Sequence, residues 1–328
     1  MHREKEYVES LRRRGLDEGS IRESLKTIQS MGSWLEGKGF SLNEPNIEPI
    51  EAWIAERLTS GEPVGDFLVP ATRYFAAARE EAIAIRLMAY LLPVGILPAM
   101  ADRLARLEGK ATRVRVMTNV AIPAEGSPPE SYPAATARFT EALETELGAE
   151  KARRTLTWNV HGISAECFAE ERRRFLELGS VDSWLTDYHD RQVGILKKHA
   201  QTGTLWFEQK ITPAVVNFVE ARPEILGGVR KGDMIYVTKI PYDPDRFLST
   251  KDSLERRRLA CHCPLAAASI TEGGSAVPSR WCACSAGFAK VRFDVVFGEE
   301  TEALVLDSVL AGSQSCRFAV KIPPSISR

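Results

Sequence analysis

The chain has 328 residues, 44% hydrophobic and 27% charged, with 43 basic against 44 acidic side chains. That balance excludes a global basic field for nucleic acid or anionic lipid, and the apolar fraction excludes a disordered chain. At about 100–200 residues per domain the length predicts two domains or three short ones.

The N-terminus, Met1-His2-Arg3-Glu4-Lys5-Glu6, has no apolar segment of a secretory signal. From Glu4 to about Lys110 the apolar spacing is helical. Asp17 or Ser20 can cap a segment carrying Ile21, Leu25, Ile28, Met31 and Leu35, ended by Gly37 and Gly39. Pro45-Asn46-Ile47-Glu48-Pro49 marks the start of the next helix, with Ile50, Trp53, Ile54 and Leu58. The apolar run Leu87–Ala101 is shorter than the roughly 20 residues that span a bilayer, and Pro93, Gly95 and Pro98 interrupt it. It predicts two buried helices joined by a kink.

Residues 111–135 read as a hinge, with a short strand at Arg113–Val116 and a proline-rich loop from Ile122 to Pro133. Helices are predicted over Ala134–Leu147, Ala165–Leu178 (capped by Ser164), Ser183–Ala200 and, opened by Thr212-Pro213, Ala214–Ala221. Turn signals at Gly227-Gly228 and Lys231-Gly232-Asp233 frame a strand over Met234–Ile240. Ser285–Phe297 reads as a helix, and Ala303–Val309 as a strand whose hairpin partner carries Cys316, Phe318, Val320 and Ile322. The predicted fold class is α+β: an N-terminal helical bundle (1–110), a helical linker and cover region (111–222), and a mixed α/β cysteine-rich domain with an antiparallel hairpin (223–328).

Cys167 is the one cysteine before residue 261; Cys261, Cys263, Cys282, Cys284 and Cys316 follow. In a cytoplasmic protein, the expected compartment, such thiols stay reduced and serve as metal ligands or catalytic groups. Cys261-His262-Cys263 and Cys282-Ala283-Cys284 are two C-x-C pairs. If each is extended, its sulfurs share a face, and two pairs give the four-sulfur set that zinc favours. A fifth thiolate, Cys316, can replace one of them. An iron–sulfur cluster, redox or catalytic thiols, and buried cysteines packing as small hydrophobes are the alternatives.

The segment Cys282-Ala283-Cys284-Ser285-Ala286-Gly287-Phe288, then Gly298, Ser308, Gly312 and Cys316-Arg317-Phe318, resembles the second half of a 4-vinyl reductase-type domain. The resemblance implies an α/β fold, an enclosed small-molecule pocket and a structural zinc, with Cys282 and Cys316 matching two zinc cysteines. The third cysteine position is Ser308 here and the acidic position before it is Val305, so Cys261, Cys263 or Cys284 would have to supply the missing ligands. Leu205-Trp206-Phe207-Glu208-Gln209, Lys239-Ile240-Pro241-Tyr242 and Cys261-His262-Cys263-Pro264 resemble an uncharacterised prokaryotic family with no activity attached. A fainter likeness to L-2-amino-thiazoline-4-carboxylate hydrolase-type proteins implies hydrolysis of a small sulfur-containing substrate. Gly15-Leu16-Asp17, Trp34-Leu35 and Ile50-Glu51-Ala52-Trp53-Ile54 resemble the core-binding domain of tyrosine recombinases. Arg12-Arg13-Arg14 sits among acidic residues and reads as a solvated face rather than a DNA contact.

Glu208, between Trp206-Phe207 and Ile211, would gain general-acid character if buried. Lys239 could bind a carboxylate or phosphate, and His262 could act as a base or pack. Asp187-Tyr188-His189-Asp190 could join His161 or His199 in a metal site, or form an ordinary polar helix face. No Walker A, G-x-G-x-x-G, H-E-x-x-H or G-x-S-x-G motif occurs.

The expectation is a cytosolic metalloprotein that binds a small molecule, acting as a hydrolase or lyase through metal or cysteine with Glu208, Lys239 and His262 assisting. The alternative is a non-catalytic ligand sensor or regulator with a structural zinc and a helical interaction domain. Neither nucleic acid nor membrane is expected as a partner; a homodimer is left open.

Overall fold

A computed structural model describes residues 3–207 and 209–326. The candidate Glu208 lies outside the described residues. Contacts gather the chain into two compact units, one of residues 1–94 with 124–128, the other of residues 95–123 with 129–328. The first division thus falls at Val94–Gly95, and the helices read as linker and cover are part of the unit that carries the cysteines.

The first unit is all helical: α1 (Glu4–Arg13), α2 (Glu18–Glu36), α3 (Ile47–Thr59), α4 (Val64–Ala77) and α5 (Glu81–Leu91). Asp17 caps α2 by accepting from the Gly19 and Ser20 amides, and Asn46 caps α3 through the Glu48 amide. Ile21, Ile28, Met31 and Leu35 form the buried stripe of α2. Pro70 lies inside α4, and its missing N–H leaves the Asp66 carbonyl short of a donor. The Thr27 hydroxyl donates to that oxygen at 3.3 Å, while Tyr7 Oη donates to Pro70 O at 3.0 Å. Arg12 of the basic run pairs with Glu18 on the surface.

The second unit opens with α6 (Ile96–Glu108), α7 (Lys110–Met117), α8 (Tyr132–Leu147), α9 (Ala149–Leu156), α10 (Ala169–Leu178), α11 (Val181–Thr202) and α12 (Pro213–Glu220). The strand expected at Arg113–Val116 is instead part of α7. Its alternating β-branched pattern is outweighed by a helical face, Thr112 and Val116, that is buried, and by the Arg115–Glu146 ion pair to α8. The stretch Glu81–Glu108 has the length and apolarity of a membrane span, but its helix is broken between Leu91 and Ile96, where Gly95 adopts a φ of 76°.

There follow β1 (Val229–Lys231), β2 (Met234–Thr238), α13 (Pro244–Ser249), α14 (Ser253–Ala260), the two-residue strands β3 (Ile270–Thr271) and β4 (Gly274–Ser275), α15 (Ala283–Phe297), β5 (Ala303–Asp307) and β6 (Arg317–Lys321). The main sheet is antiparallel in the order β1-β2-β6-β5. Register pairs Val237 with Phe318 and Ile235 with Val320, and these side chains share a core with Phe293, Val296 and Phe297 of α15. The predicted hairpin is β5–β6, and the fold is α+β. The same core holds four of the five clustered cysteines, with Cys263 packed against it.

Candidate functional site

Three segments bring the cysteines together. Helix α14 ends at Ala260, and its C-cap Cys261 is extended (φ −81°, ψ 117°). A short 3₁₀ turn, Ser279–Cys282, leads directly into α15, so Cys282 and Cys284 are helical rather than extended. Residues two apart on a helix diverge by about 200°, so the second pair does not present both sulfurs to one side. Cys316 precedes β6, and its carbonyl accepts from the Lys239 amide at 2.9 Å, which docks the end of β2 beside it.

All five thiols are buried or half-buried, whereas Cys167 is exposed. Burial pushes every one of the five up, Cys282 to about 12, and neighbouring sulfurs add to it at Cys261, Cys263, Cys282 and Cys284, whereas at Cys316 it is Asp307 that adds. Cys263, Cys316 and Cys282 act on Cys261; Cys316 acts on Cys263; Cys316 and Cys263 act on Cys282. Cys261, Cys263, Cys282 and Cys316 are therefore each within electrostatic reach of the other three. Cys284 is acted on by Cys263 and Cys282. Two side chains address the sulfurs directly. Trp281 Nε1 donates to Cys263 Sγ at 3.3 Å, and Ser308 Oγ lies 3.0 Å from Cys282 Sγ. Ser308 is the position at which the 4-vinyl reductase resemblance expects a cysteine. Among the described residues, no three His, Cys, Asp or Glu side chains stand in a ready ligating arrangement.

The assisting residues fall into place unevenly. His262 is held by Ile240 O at 2.6 Å from Nε2, which fixes the proton on that nitrogen, and its ring meets Tyr242 edge-on. Burial, with Lys239 adding to it, lowers its pKa to about 3, so it is a neutral packed imidazole. Lys239 is half-buried, and its ammonium lies 5.6 Å from the centre of the Phe288 ring. It pulls the thiols of Cys263, Cys282, Cys284 and Cys316 downward, though burial outweighs it at each. His161 meets the same Phe288 ring edge-on at 5.5 Å, and desolvation followed by Lys239 lowers its pKa below 6.5.

His161 reaches this place because of Gly287. A Cβ there would stand 2.6 Å from Trp158 O and closer still to Trp158 N, so only glycine lets the chain after α9 cross α15 at this point. The sequence reading missed Phe288 and Trp281 as site residues; Phe288 follows Cys284 by four positions on one helix face, the available signal for it.

His189 is buried with Nε2 3.2 Å from Val219 O, and Asp187 pairs with Arg191. That helix face is structural. Comparison with family models, with curated proteins and with solved structures found no match for this chain.

Proposed function

We propose that the chain is a small-molecule-binding metalloprotein whose metal is held by Cys261, Cys263, Cys282 and Cys316. The observation that carries this reading is that four sulfurs drawn from three segments, three of them buried and Cys263 half-buried, lie within electrostatic reach of one another. Neutral thiols gain little from being crowded together in this way. A divalent cation that prefers sulfur would deprotonate them and reward the arrangement.

The donor set fits zinc in kind and number, and it requires the side chains to turn inward, since no three donors are already in ligating positions among the described residues. Bound there, zinc would tie α14, the start of α15 and β6 together as a structural cross-link. Four sulfurs leave zinc no open coordination position, which favours ligand binding over metal-assisted hydrolysis or lyase chemistry. The packed, neutral His262 also favours it, because its Nε2 is already committed to Ile240 O. Lys239 remains as the group that would meet a ligand.

Metal analysis of protein purified anaerobically under reducing conditions tests the reading. About one zinc per chain is expected, lost in Cys282→Ser and Cys316→Ser and kept in Cys284→Ser. Iron with sulfide in place of zinc would replace the metal assignment with an iron–sulfur cluster. Finding neither would sink the metalloprotein reading.

A further inference from the structure

We infer that the open face of the main sheet is the interface of a homodimer, in which two copies pack face to face about a two-fold axis running along the strands between β2 and β6. The inference is independent of the metal reading, and every residue it uses belongs to one compact unit.

The two faces of the sheet differ in what covers them. Ile235, Val237, Phe318 and Val320 point inward and are buried in the core that α11 and α15 close. The residues between them alternate to the other face. Register aligns Val229, Tyr236, Ala319 and Leu304 there as one row across all four strands. Val229 and Tyr236 are half-buried, Ala319 is buried at the floor of the row, and Leu304 is 41% exposed. Leu306, at the β5 bulge, is 43% exposed. A sheet face left to water carries polar side chains in alternation with the buried ones, yet this central row has no charged group. A contiguous apolar strip on a folded surface marks an interaction site.

The row is complementary to its own reverse. A two-fold axis along the strands sets β1 of one copy over β5 of the other, and β2 over β6. Tyr236 then faces the partner's Ala319, and Val229 faces the partner's Leu304, each contact occurring twice. A large ring over a small residue lets two sheets interdigitate at the usual spacing of about 10 Å.

The neighbouring row adds charge to shape. Lys231, Met234 and Lys321 are in register, and Glu302 extends that row, since its carbonyl accepts from the Lys321 amide. The same axis brings Lys231 opposite the partner's Glu302, again twice, and Met234 under the apolar stem of the partner's Lys321. Lys231 and Glu302 are both exposed, and neither has an ion-pair partner among the described residues. At the other end of the face, Arg317 is already neutralised by Glu224. A surface complementary to itself in both shape and charge selects a second copy over a different protein.

Pairing through the free edge of β5 is the competing geometry, and that edge is blunted. Glu302 faces β6, so Ala303 faces away from it, and on that side Arg153 Nη1 donates to Ala303 O at 3.4 Å. The bulge between Val305 and Asp307 interrupts the ladder further along.

Sedimentation velocity over a concentration series should show a reversible monomer–dimer equilibrium. Leu304→Glu should weaken the dimer about tenfold or more, because it buries a carboxylate against the partner's Val229, while the circular-dichroism spectrum stays unchanged. Lys231→Glu and Glu302→Lys should each weaken it about tenfold, because each sets like charges opposite one another twice. An equimolar mixture of those two variants should regain the association of the unmutated protein as a heterodimer, which also shows that both are folded. A chain that stays monomeric at every concentration, a dimer that Leu304→Glu leaves intact, or a mixture that associates no better than its components would overturn the inference. A dimer joined through the β5 edge would give that last result.

Discussion

Ser308 Oγ lies 3.0 Å from Cys282 Sγ while accepting from the Leu310 amide at 3.1 Å. With its lone pair engaged, the hydroxyl hydrogen is free to point at sulfur, and that hydrogen bond pulls the Cys282 thiol down against the larger effect of burial. One side chain thus caps the turn after β5 and favours the thiolate that a metal needs. Ser308→Ala should lower zinc affinity about tenfold, measured by chelator competition. Losing the cap should also cost about 1 kcal/mol in urea unfolding of the metal-free protein. A stability loss with unchanged zinc affinity would make Ser308 a cap and nothing more.

Thiol reactivity follows from the same burial. The thiolate is the reactive form, and five of the six cysteines are both shielded and held protonated. Iodoacetamide at neutral pH should therefore modify Cys167 in the native protein and leave the others until denaturant is added. Mass spectrometry of the labelled peptides reads this directly. Rapid native labelling of Cys282 or Cys284 would show an accessible thiolate there and revive a nucleophilic role.

The helices and the β5–β6 hairpin were legible from spacing and capping because those signals are local: Asp17, Asn46, Ser164 and Thr212-Pro213 all open helices or turns where expected. The cysteine segment was legible as a candidate site, but its geometry turned on two residues. The predicted helix starts at Ser285, whereas α15 starts at Ala283. That shift moves Cys284 onto the helix and changes which sulfurs converge. Pro278 and the run Ala283-Cys284-Ser285-Ala286, free of β-branched residues, carried the earlier start. The meeting of His161, Lys239 and Phe288 had no such local sign. It depends on contacts between distant segments, and a lone glycine in a helix was its one trace.

That glycine is open to test. At Gly287 an added methyl would collide with backbone atoms of Trp158 and Thr157, which cannot rotate away as a side-chain end could. Gly287→Ala should destabilise the protein by about 2–4 kcal/mol, read from denaturant unfolding. It should also push the chain after α9 away from α15, so that the His161 pKa moves back toward 6.5 as its burial is relieved and Lys239 recedes. A variant with full stability would mean that this crossing is looser than the close approach requires.

Glu224 gives the fold a defined response to acid. Both its oxygens accept from Arg317 at 2.7 Å, and Oε2 also accepts from Thr238 at 2.9 Å, which binds the turn before β1 to the ends of β2 and β6. The Arg317 hydrogen bonds hold the Glu224 carboxyl below its ordinary 4.5, with burial opposing. A lowered folded-state pKa means that the unfolded chain takes up the proton first. The stabilisation is therefore complete above about pH 4.5 and is lost as the pH falls through the folded value. Glu224→Gln should cost about 1–2 kcal/mol near pH 7, a range reduced for the partial exposure of both side chains. The gap between the two proteins should be smaller at about pH 3 than at pH 7, because the loss sets in below the unfolded value of about 4.5 and grows as the pH falls toward the lowered folded-state value. Urea unfolding of both at the two pH values measures it. A gap that stays constant with pH would mean that the ion pair adds nothing beyond the hydrogen bonds a neutral amide can make.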